Sequence, residues 1–86
     1  MAPLVGVVGD FDPKNHTHQA TNHALTDASI PYDWVSTTDV PVHEPERRLA
    51  RYAGILVAPS SPYRSMGGAL AAIRFARERG VPLVGT

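Results

Sequence analysis

GILVAPSSPYRSMGGALAAIRFARERGVPLVGT, residues Gly54–Thr86, contains two apolar runs separated by a longer amphipathic stretch. The first run, Ile55–Ala58, stops at Pro59 and two serines, which is typical of a buried strand that ends in a turn. The second run, Val81–Val84, is short and equally apolar, and it predicts another strand.

The stretch between the two runs predicts a helix. Met66, Leu70 and Ile73 recur at i, i+4 and i+7 and form an apolar stripe, which we expect to be the buried face of the helix. Gly80 suits the position after the last helical residue, because glycine adopts a left-handed conformation at low cost. Strand, helix and strand in immediate succession indicate a parallel βαβ unit.

The first half of the chain repeats this alternation. It predicts a strand at Leu4–Val8, a helix over His16–Ser29, a weaker strand at Tyr32–Ser36 and a short helix over Glu46–Ala53. Alanines at spacing four on the first helix predict a small-residue face lying against a sheet, namely Ala20, Ala24 and Ala28. The order βαβαβαβ with short connections predicts a parallel sheet covered by helices on both faces.

Composition limits the functional classes. Eight basic residues balance eight acidic ones, so no net positive field favours nucleic acid as a partner. Cysteine is absent, which excludes disulfides, thiolate metal sites and a cysteine nucleophile within these 86 residues. Because the start of the chain has no basic segment and only a short apolar run, we expect no signal peptide, no membrane span and a cytoplasmic location. We also expect no cofactor.

Two carboxylates, Asp10 and Asp12, follow the first strand in the stretch GDFDPKN. A D-x-D at this place resembles haloacid-dehalogenase-type phosphatases, in which the first aspartate attacks phosphorus and both help to hold Mg²⁺. Here Pro13 and Lys14 stand where that family has Gly-Thr or similar. Capping of the loop and of the next helix is therefore favoured, with substrate contact and a metal site as the alternatives.

Three histidines lie at the start of the first predicted helix, at His16, His18 and His23. Their spacings of two and five place them poorly for one helical face, whereas a zinc helix needs histidines at i and i+4. We interpret them as ordinary polar residues of a helix start. His43, in a proline-rich loop, has no evident partner in the sequence.

The segment PSSPYRSMGG, residues 59–68, joins a predicted strand to a predicted helix. At this position α/β folds present backbone N–H groups to a ligand. It is not a nucleotide-binding phosphate loop, because G-x-x-x-x-G-K-[ST] is absent. Helix capping by Ser60, Ser61 or Ser65 is the alternative interpretation.

The same stretch resembles the glutaminase region of CTP synthases and small stand-alone proteins related to it. The resemblance is most specific over Ala69–Gly85, where a helix of the type A-I-x-[FY]-A-R-E leads into [IV]-P-[FL]-[LV]-G; the start VGVVGDFDP is also similar, and Ile30–Arg51 is the weakest part. It implies a flavodoxin-like or Rossmann-like three-layer fold with about four strands in the order 2-1-3-4. Residues 1–86 would be a single domain, the N-terminal half of a class I glutamine amidotransferase domain.

The resemblance also implies roles for single residues. Gly85 and Thr86 look like the first two positions of the elbow G-x-C-x-G, so the nucleophile would follow Thr86, with its histidine and glutamate partners further on. Ser61 matches the position whose backbone N–H helps to form the oxyanion hole, and Ser60 precedes it. Pro62 and Tyr63 complete the candidate substrate loop, and Asp10 is a candidate for the adjoining crevice. Ser60-Ser61-Pro62 departs from the Gly-Gly of CTP synthases.

The implied function is hydrolysis or transfer of a glutamine-like amide, for which these 86 residues alone lack the nucleophile and its base. Some relatives use selenocysteine at the elbow, so UGA read as termination would end the chain at Thr86; deliberate truncation and proteolysis are the alternatives. Two other functions stay open. One is a non-catalytic binding module of the same fold that uses Asp10, Ser60 and Ser61, and the other is the Mg²⁺-dependent phosphatase.

The last predicted strand, Val81–Val84, implies self-association. Its side chains are apolar, no charge lies between Gly80 and Thr86, and Pro82 removes only one backbone donor. An exposed strand edge of this kind is a template for pairing with another chain. We expect a homodimer formed through this strand.

Overall fold

The computed structural model describes residues 4–58 and 63–84 and confirms the alternating order of strands and helices. The elements are β1 (Val5–Val8), α1 (His16–Asp27), β2 (Tyr32–Val35), α2 (Glu46–Leu49), β3 (Gly54–Val57), α3 (Met66–Arg79) and β4 (Leu83–Val84). A 3₁₀ turn over Thr37–Asp39 follows β2. Among these helices, none is long and apolar enough to cross a membrane.

The four strands form one parallel sheet in the order β2-β1-β3-β4, as expected. Val5 of β1 is in register with Tyr32 on one side and with Gly54 on the other, and Ile55 is in register with Leu83. The chain moves from β1 outward to β2, returns to β3 on the other side of β1, and continues to β4. The direction therefore reverses between β1 and β3, and the carboxyl ends of strands at such a switch point are where α/β folds bind ligands.

Helices cover both faces of the sheet, and two neighbouring residues of β2 show it. Trp34 bonds to Asn22 of α1, whereas Val35 belongs to the main core cluster that includes Phe75 of α3. Successive side chains of a strand point to opposite faces, so α1 lies on one face and α3 on the other. The expected three-layer arrangement is confirmed.

The main core lies between the sheet and the face that α2 and α3 cover. Gly6 is required in β1 because a Cβ there would lie 2.6 Å from the Tyr52 ring, which packs flat on the strand. The other buried members of this core are the strand residues Val8, Val35, Ile55 and Val57 and the residues Val40, Leu49, Ala71, Ala72, Phe75 and Ala76.

The predicted buried faces of the two long helices were wrong. On α3, the side chains of Met66 and Leu70 are 56% and 57% exposed, and the buried face instead carries Gly68, Ala69, Ala71, Ala72, Phe75 and Ala76. A face of glycine and alanine lets α3 approach the chain after β2 very closely: a Cβ on Gly68 would lie 2.9 Å from the Thr37 carbonyl carbon and closer still to its oxygen. Close backbone approach thus decides the orientation: Met66 and Leu70 face outward, and only Ile73 of the predicted stripe packs, partly buried, against the main core.

On α1, the alanines Ala20, Ala24 and Ala28 are exposed, and His18 is the buried residue. His18 packs against Trp34, with ring centroids 4.8 Å apart, and Phe11 covers it at 5.9 Å. Contact between aromatic rings therefore sets the orientation of α1 on the sheet, where the sequence pattern had indicated a face of small residues.

Three elements are shorter than predicted by two residues or more. Helix α1 ends at Asp27, and Ser29 adopts a positive φ of 58°. Helix α2 ends at Leu49 because the Ala53 N–H donates to Leu4 O, which draws the chain into the sheet. Strand β4 begins only at Leu83, because the Val81 N–H bonds back to Ala76 O and Pro82 has no N–H to give. Gly80 ends α3 in the left-handed conformation, as predicted.

Candidate functional site

A crevice of about 280 Å³ opens at the carboxyl ends of β1, β2 and β3, at the switch point of the sheet. Its lining comes from the end of β2 and from the chain after β1, β2 and β3: Gly9, Asp10, Phe11, Trp34, Ser36, Asp39 and Arg64. Sequence reasoning had expected Asp10 here. Ser36 was predicted as the last residue of the second strand, with no role in a site; the structure ends that strand at Val35.

Asp10 is the group that joins the three strand ends. Its Oδ1 accepts from Ser36 Oγ at 2.6 Å and from the Thr37 N–H at 3.1 Å. Its Oδ2 accepts from Thr37 Oγ1 at 2.7 Å and from the Arg64 N–H at 2.8 Å. A carboxylate can accept about four hydrogen bonds, so these four donors occupy all of its acceptor sites. Asp10 thus ties the end of β1 to the chain after β2 and to the chain before α3.

These hydrogen bonds keep Asp10 ionised. Partial burial opposes ionisation, but hydrogen bonds from Ser36, the Arg64 N–H and Thr37 outweigh it and lower the pKa of Asp10 from 3.8 to about 2. The group is a carboxylate across the physiological pH range, and it acts as a pure hydrogen-bond acceptor.

Thr37 is the second central residue, and sequence reasoning missed it. Its side chain is fully buried, and its Oγ1 donates to Asp10 and accepts from the Ser65 N–H at 2.9 Å. Its carbonyl lies against Gly68 of α3. The available signal was positional: Thr37 follows the end of a strand just as Asp10 does, and strand ends of a parallel sheet converge.

The connection between β3 and α3 is held at both ends. Before it, the Ala58 N–H donates to Val8 O at 2.9 Å; after it, the Tyr63 hydroxyl donates to Ala58 O at 2.6 Å. Ser65 caps α3 by accepting from the Gly68 N–H at 3.0 Å, in agreement with the capping interpretation for that residue. The candidates Ser60, Ser61 and Pro62 lie outside the described residues, and so do Gly85 and Thr86.

The expectation that Asp10 and Asp12 cap the next helix was wrong. Asn15 is the N-cap of α1, and its Oδ1 accepts from the N–H groups of Thr17 and His18. Asp12 caps only the loop, through a hydrogen bond from the Lys14 N–H at 2.9 Å. Within residues 4–58 and 63–84, no group of three or more His, Asp or Glu side chains is arranged to hold a metal ion.

His18 also departs from expectation, because it is only 2% exposed and is not a surface residue of a helix start. Its Nδ1 accepts from the Asp12 N–H at 3.0 Å, so in the neutral ring the proton sits on Nε2. Nε2 is buried and has no hydrogen-bond partner among the described residues. His16, His23 and His43 are exposed.

Comparison with known proteins supports relatedness to CTP synthases. The chain is 36% identical over 90 residues to the CTP synthase of Prochlorococcus marinus (strain MIT 9303), an alignment that covers 98% of this chain and 16% of the relative. It is 35% identical over 87 residues to that of Synechococcus sp. (strain JA-3-3Ab), which covers 94% of this chain and 16% of the relative. The chain therefore spans about a sixth of the length of these relatives. No family model and no solved structure matches it.

Proposed function

We propose, on the premise that this chain is related to CTP synthases, that residues 1–86 are the N-terminal half of a glutamine amidotransferase-like domain. The complete domain would hydrolyse a glutamine-like amide or transfer its nitrogen. The observation that carries the proposal is similarity to CTP synthases over nearly the whole chain. The parallel sheet, with a polar crevice at its switch point, is compatible with it.

In this proposal the connection between β3 and α3 forms the oxyanion side of the site. The Ser61 backbone N–H would face the developing oxyanion, with Ser60, Pro62 and Tyr63 as its neighbours. Gly85 and Thr86 would begin the elbow that carries a cysteine or selenocysteine nucleophile. These 86 residues contain no cysteine. We therefore propose that the isolated 86-residue chain is inactive and that nucleophile and base come from chain beyond it.

Asp10 would act in this site without touching substrate. Its four lone-pair sites are occupied by hydrogen bonds from the protein itself. The same occupancy leaves the Mg²⁺-dependent phosphatase alternative without support, because its first aspartate must be free to attack phosphorus and to bind the metal.

One observation favours a non-catalytic ligand-binding module as the second candidate function. Ser60-Ser61-Pro62 stands where CTP synthases carry Gly-Gly, and a Cβ is unfavourable wherever the backbone requires a positive φ. Such a module would keep the crevice as a binding site and lack turnover.

Release of glutamate from glutamine separates the two candidates. The 86-residue chain is compared with the same chain continued into the sequence that follows it, with cysteine at position 87. We expect no glutamate release from the first protein and turnover by the second. A longer protein that folds but releases no glutamate would favour the binding module. Glutamate release by the purified 86-residue chain that persists in Ser60→Ala and Ser61→Ala would contradict the proposal that the nucleophile and base lie beyond these residues.

A further inference from the structure

We propose that Asp10 and Thr37 are positioning residues that fix the connection between β3 and α3 in register with the end of β1. Neither residue was assigned such a role by the similarity to CTP synthases. The inference rests on the proposed function, which makes this connection the oxyanion side of the site. It adds that the connection is set in place from β1 and β2, which are distant from it in sequence.

The hydrogen bonds of Asp10 and Thr37 are shared between two consecutive backbone groups. The Arg64 N–H donates to Asp10, and the next N–H along the chain, that of Ser65, donates to Thr37 Oγ1. Thr37 Oγ1 in turn donates to Asp10 Oδ2 at 2.7 Å. Two consecutive backbone groups after the connection are thus held by one linked pair of side chains, at the place where the chain enters α3.

This geometry requires particular side chains at both positions. Asp10 receives four donors, and an ionised carboxylate is the side chain that accepts at both oxygens and donates at neither. In Asp10→Asn, an NH₂ group replaces one of the two carboxylate oxygens. That NH₂ group would face two hydrogen-bond donors and accept from neither. Thr37 must both donate and accept, which a hydroxyl does and a methyl group does not. Charge-assisted hydrogen bonds of this kind are about twice as strong as neutral ones.

The connection is anchored separately at its other end, which follows β3. The Ala58 N–H bonds to Val8 O, and the Tyr63 hydroxyl bonds to Ala58 O. Ala58 is therefore tied to β1 through the backbone, and Arg64 is tied to β1 through Asp10. Donors that stabilise an oxyanion must be placed before the reaction begins, and losing one costs about 10²–10³ in rate. The described residues on both sides of the connection are anchored in this way.

A direct test uses the 86-residue chain and measures amide hydrogen exchange by NMR. In Asp10→Asn and Thr37→Val, we expect exchange at the Arg64 and Ser65 N–H groups to rise at least tenfold relative to the β3 amides. Thr37→Ser, which keeps the hydroxyl, should stay within about threefold of the parent. Thr38→Val is the matched control, because Thr38 Oγ1 contacts Ser36 Oγ and neither Asp10 nor Ser65.

A second readout uses the longer chain with cysteine at position 87 and glutamine as substrate. Asp10→Asn and Thr37→Val should lower kcat at least tenfold and leave KM within about twofold, while Thr38→Val and Thr37→Ser keep the parent kcat. Equal exchange in Thr37→Val and Thr38→Val, or an unchanged kcat in Asp10→Asn, would overturn the positioning role. An inactive parent would count against the proposed function, whereas the exchange measurement would still decide whether the two residues anchor the connection.

Discussion

The crevice at the strand ends and the sheet face beside β4 differ in how far their side chains find partners within the protein. In the crevice, the hydrogen bonds of Asp10 and Thr37 join three separate parts of the chain. On the α1 side of the sheet, a groove of about 230 Å³ runs beside β4, and Val84 is 60% exposed. The groove is lined by apolar groups, from Val5, Leu25, Ile30, Gly54, Ile55, Leu56, Pro82 and Val84.

This difference indicates two separate uses of the same sheet. Polar groups that are fully paired within the protein hold a local geometry and leave little for another molecule to bind. Apolar groups that no part of the described chain covers gain free energy from any surface that does cover them. We therefore propose that the crevice holds the geometry of the candidate site and that the β4 side is the surface through which the chain associates.

The largest expected effect tests the close approach of α3 to the crevice. Gly68→Ala should cost about 3 kcal/mol or more, because its Cβ would overlap the Thr37 carbonyl and force α3 away. Gly67→Ala is the matched control in the same helix: its Cβ would lie 3.3 Å from a side-chain methyl of Val42, which is 43% exposed, and alanine favours helix by up to about 1 kcal/mol. Urea unfolding of both variants measures the difference, and equal stabilities would refute the packing described.

A smaller effect is expected from removing the carboxylate of the crevice. Asp10→Asn should lower the free energy of unfolding by about 1–2 kcal/mol at pH 7. Because the folded pKa is lowered from 3.8 to about 2, this stabilisation is present above about pH 4 and is lost as the pH falls toward 2. The stability difference between parent and variant should therefore shrink in acid.

Asp27→Asn serves as the control for this pH dependence, because Asp27 is exposed at the end of α1. Its effect at pH 7 should stay within about 0.5 kcal/mol. A difference between parent and Asp10→Asn that is the same at pH 7 and pH 3 would show that the carboxylate charge contributes nothing.

The smallest effect concerns association. We propose that the 86-residue chain forms a homodimer through β4 and the groove beside it, since β4 pairs with β3 on one side and with no other described strand. Val84→Lys should weaken the dimer about tenfold in Kd, about 1.4 kcal/mol. Val84 is preferred to Leu83 for this test, because Leu83 packs against the main core on the opposite face.

Sedimentation equilibrium at micromolar concentration measures this change. Leu70→Lys is the control, since Leu70 is 57% exposed on the outer face of α3. A folded monomer at these concentrations, or equal effects of the two lysines, would rule out the β4 surface.

The sequence predicted the alternation of elements well, because short apolar strands and periodic helices are local patterns. The sheet order was implied by the resemblance to CTP synthases, and the structure confirms it. It predicted the buried helix faces poorly. Hydrophobicity favoured Met66 and Leu70 on α3, whereas the close approach of Gly68 to Thr37 decided the outcome, and that contact joins distant residues. His18 was missed for the same reason, since its burial depends on Trp34 and Phe11 arriving from two other segments.

For the candidate site, the sequence indicated which residues follow the strands but not what they bind. Asp10 was correctly located after β1, yet its partners Thr37 and Arg64 lie 27 and 54 residues further along the chain. Local sequence patterns do not predict hydrogen bonds between residues so far apart in the chain. Ser36 was predicted as the end of a strand, and Thr37 as part of a loop rich in prolines and turn formers.

The most direct test of the central claim, that these residues form half of an amidotransferase-like site, is covalent labelling by an electrophilic glutamine analogue. The chain continued beyond Thr86, with cysteine at position 87, is incubated with the analogue and analysed by peptide mass spectrometry. We predict one adduct at position 87, formation of which is suppressed by excess glutamine and slowed at least tenfold in Thr37→Val but not in Thr38→Val. A folded protein that remains unlabelled, or that is labelled equally in the presence of glutamine, would contradict the proposed function.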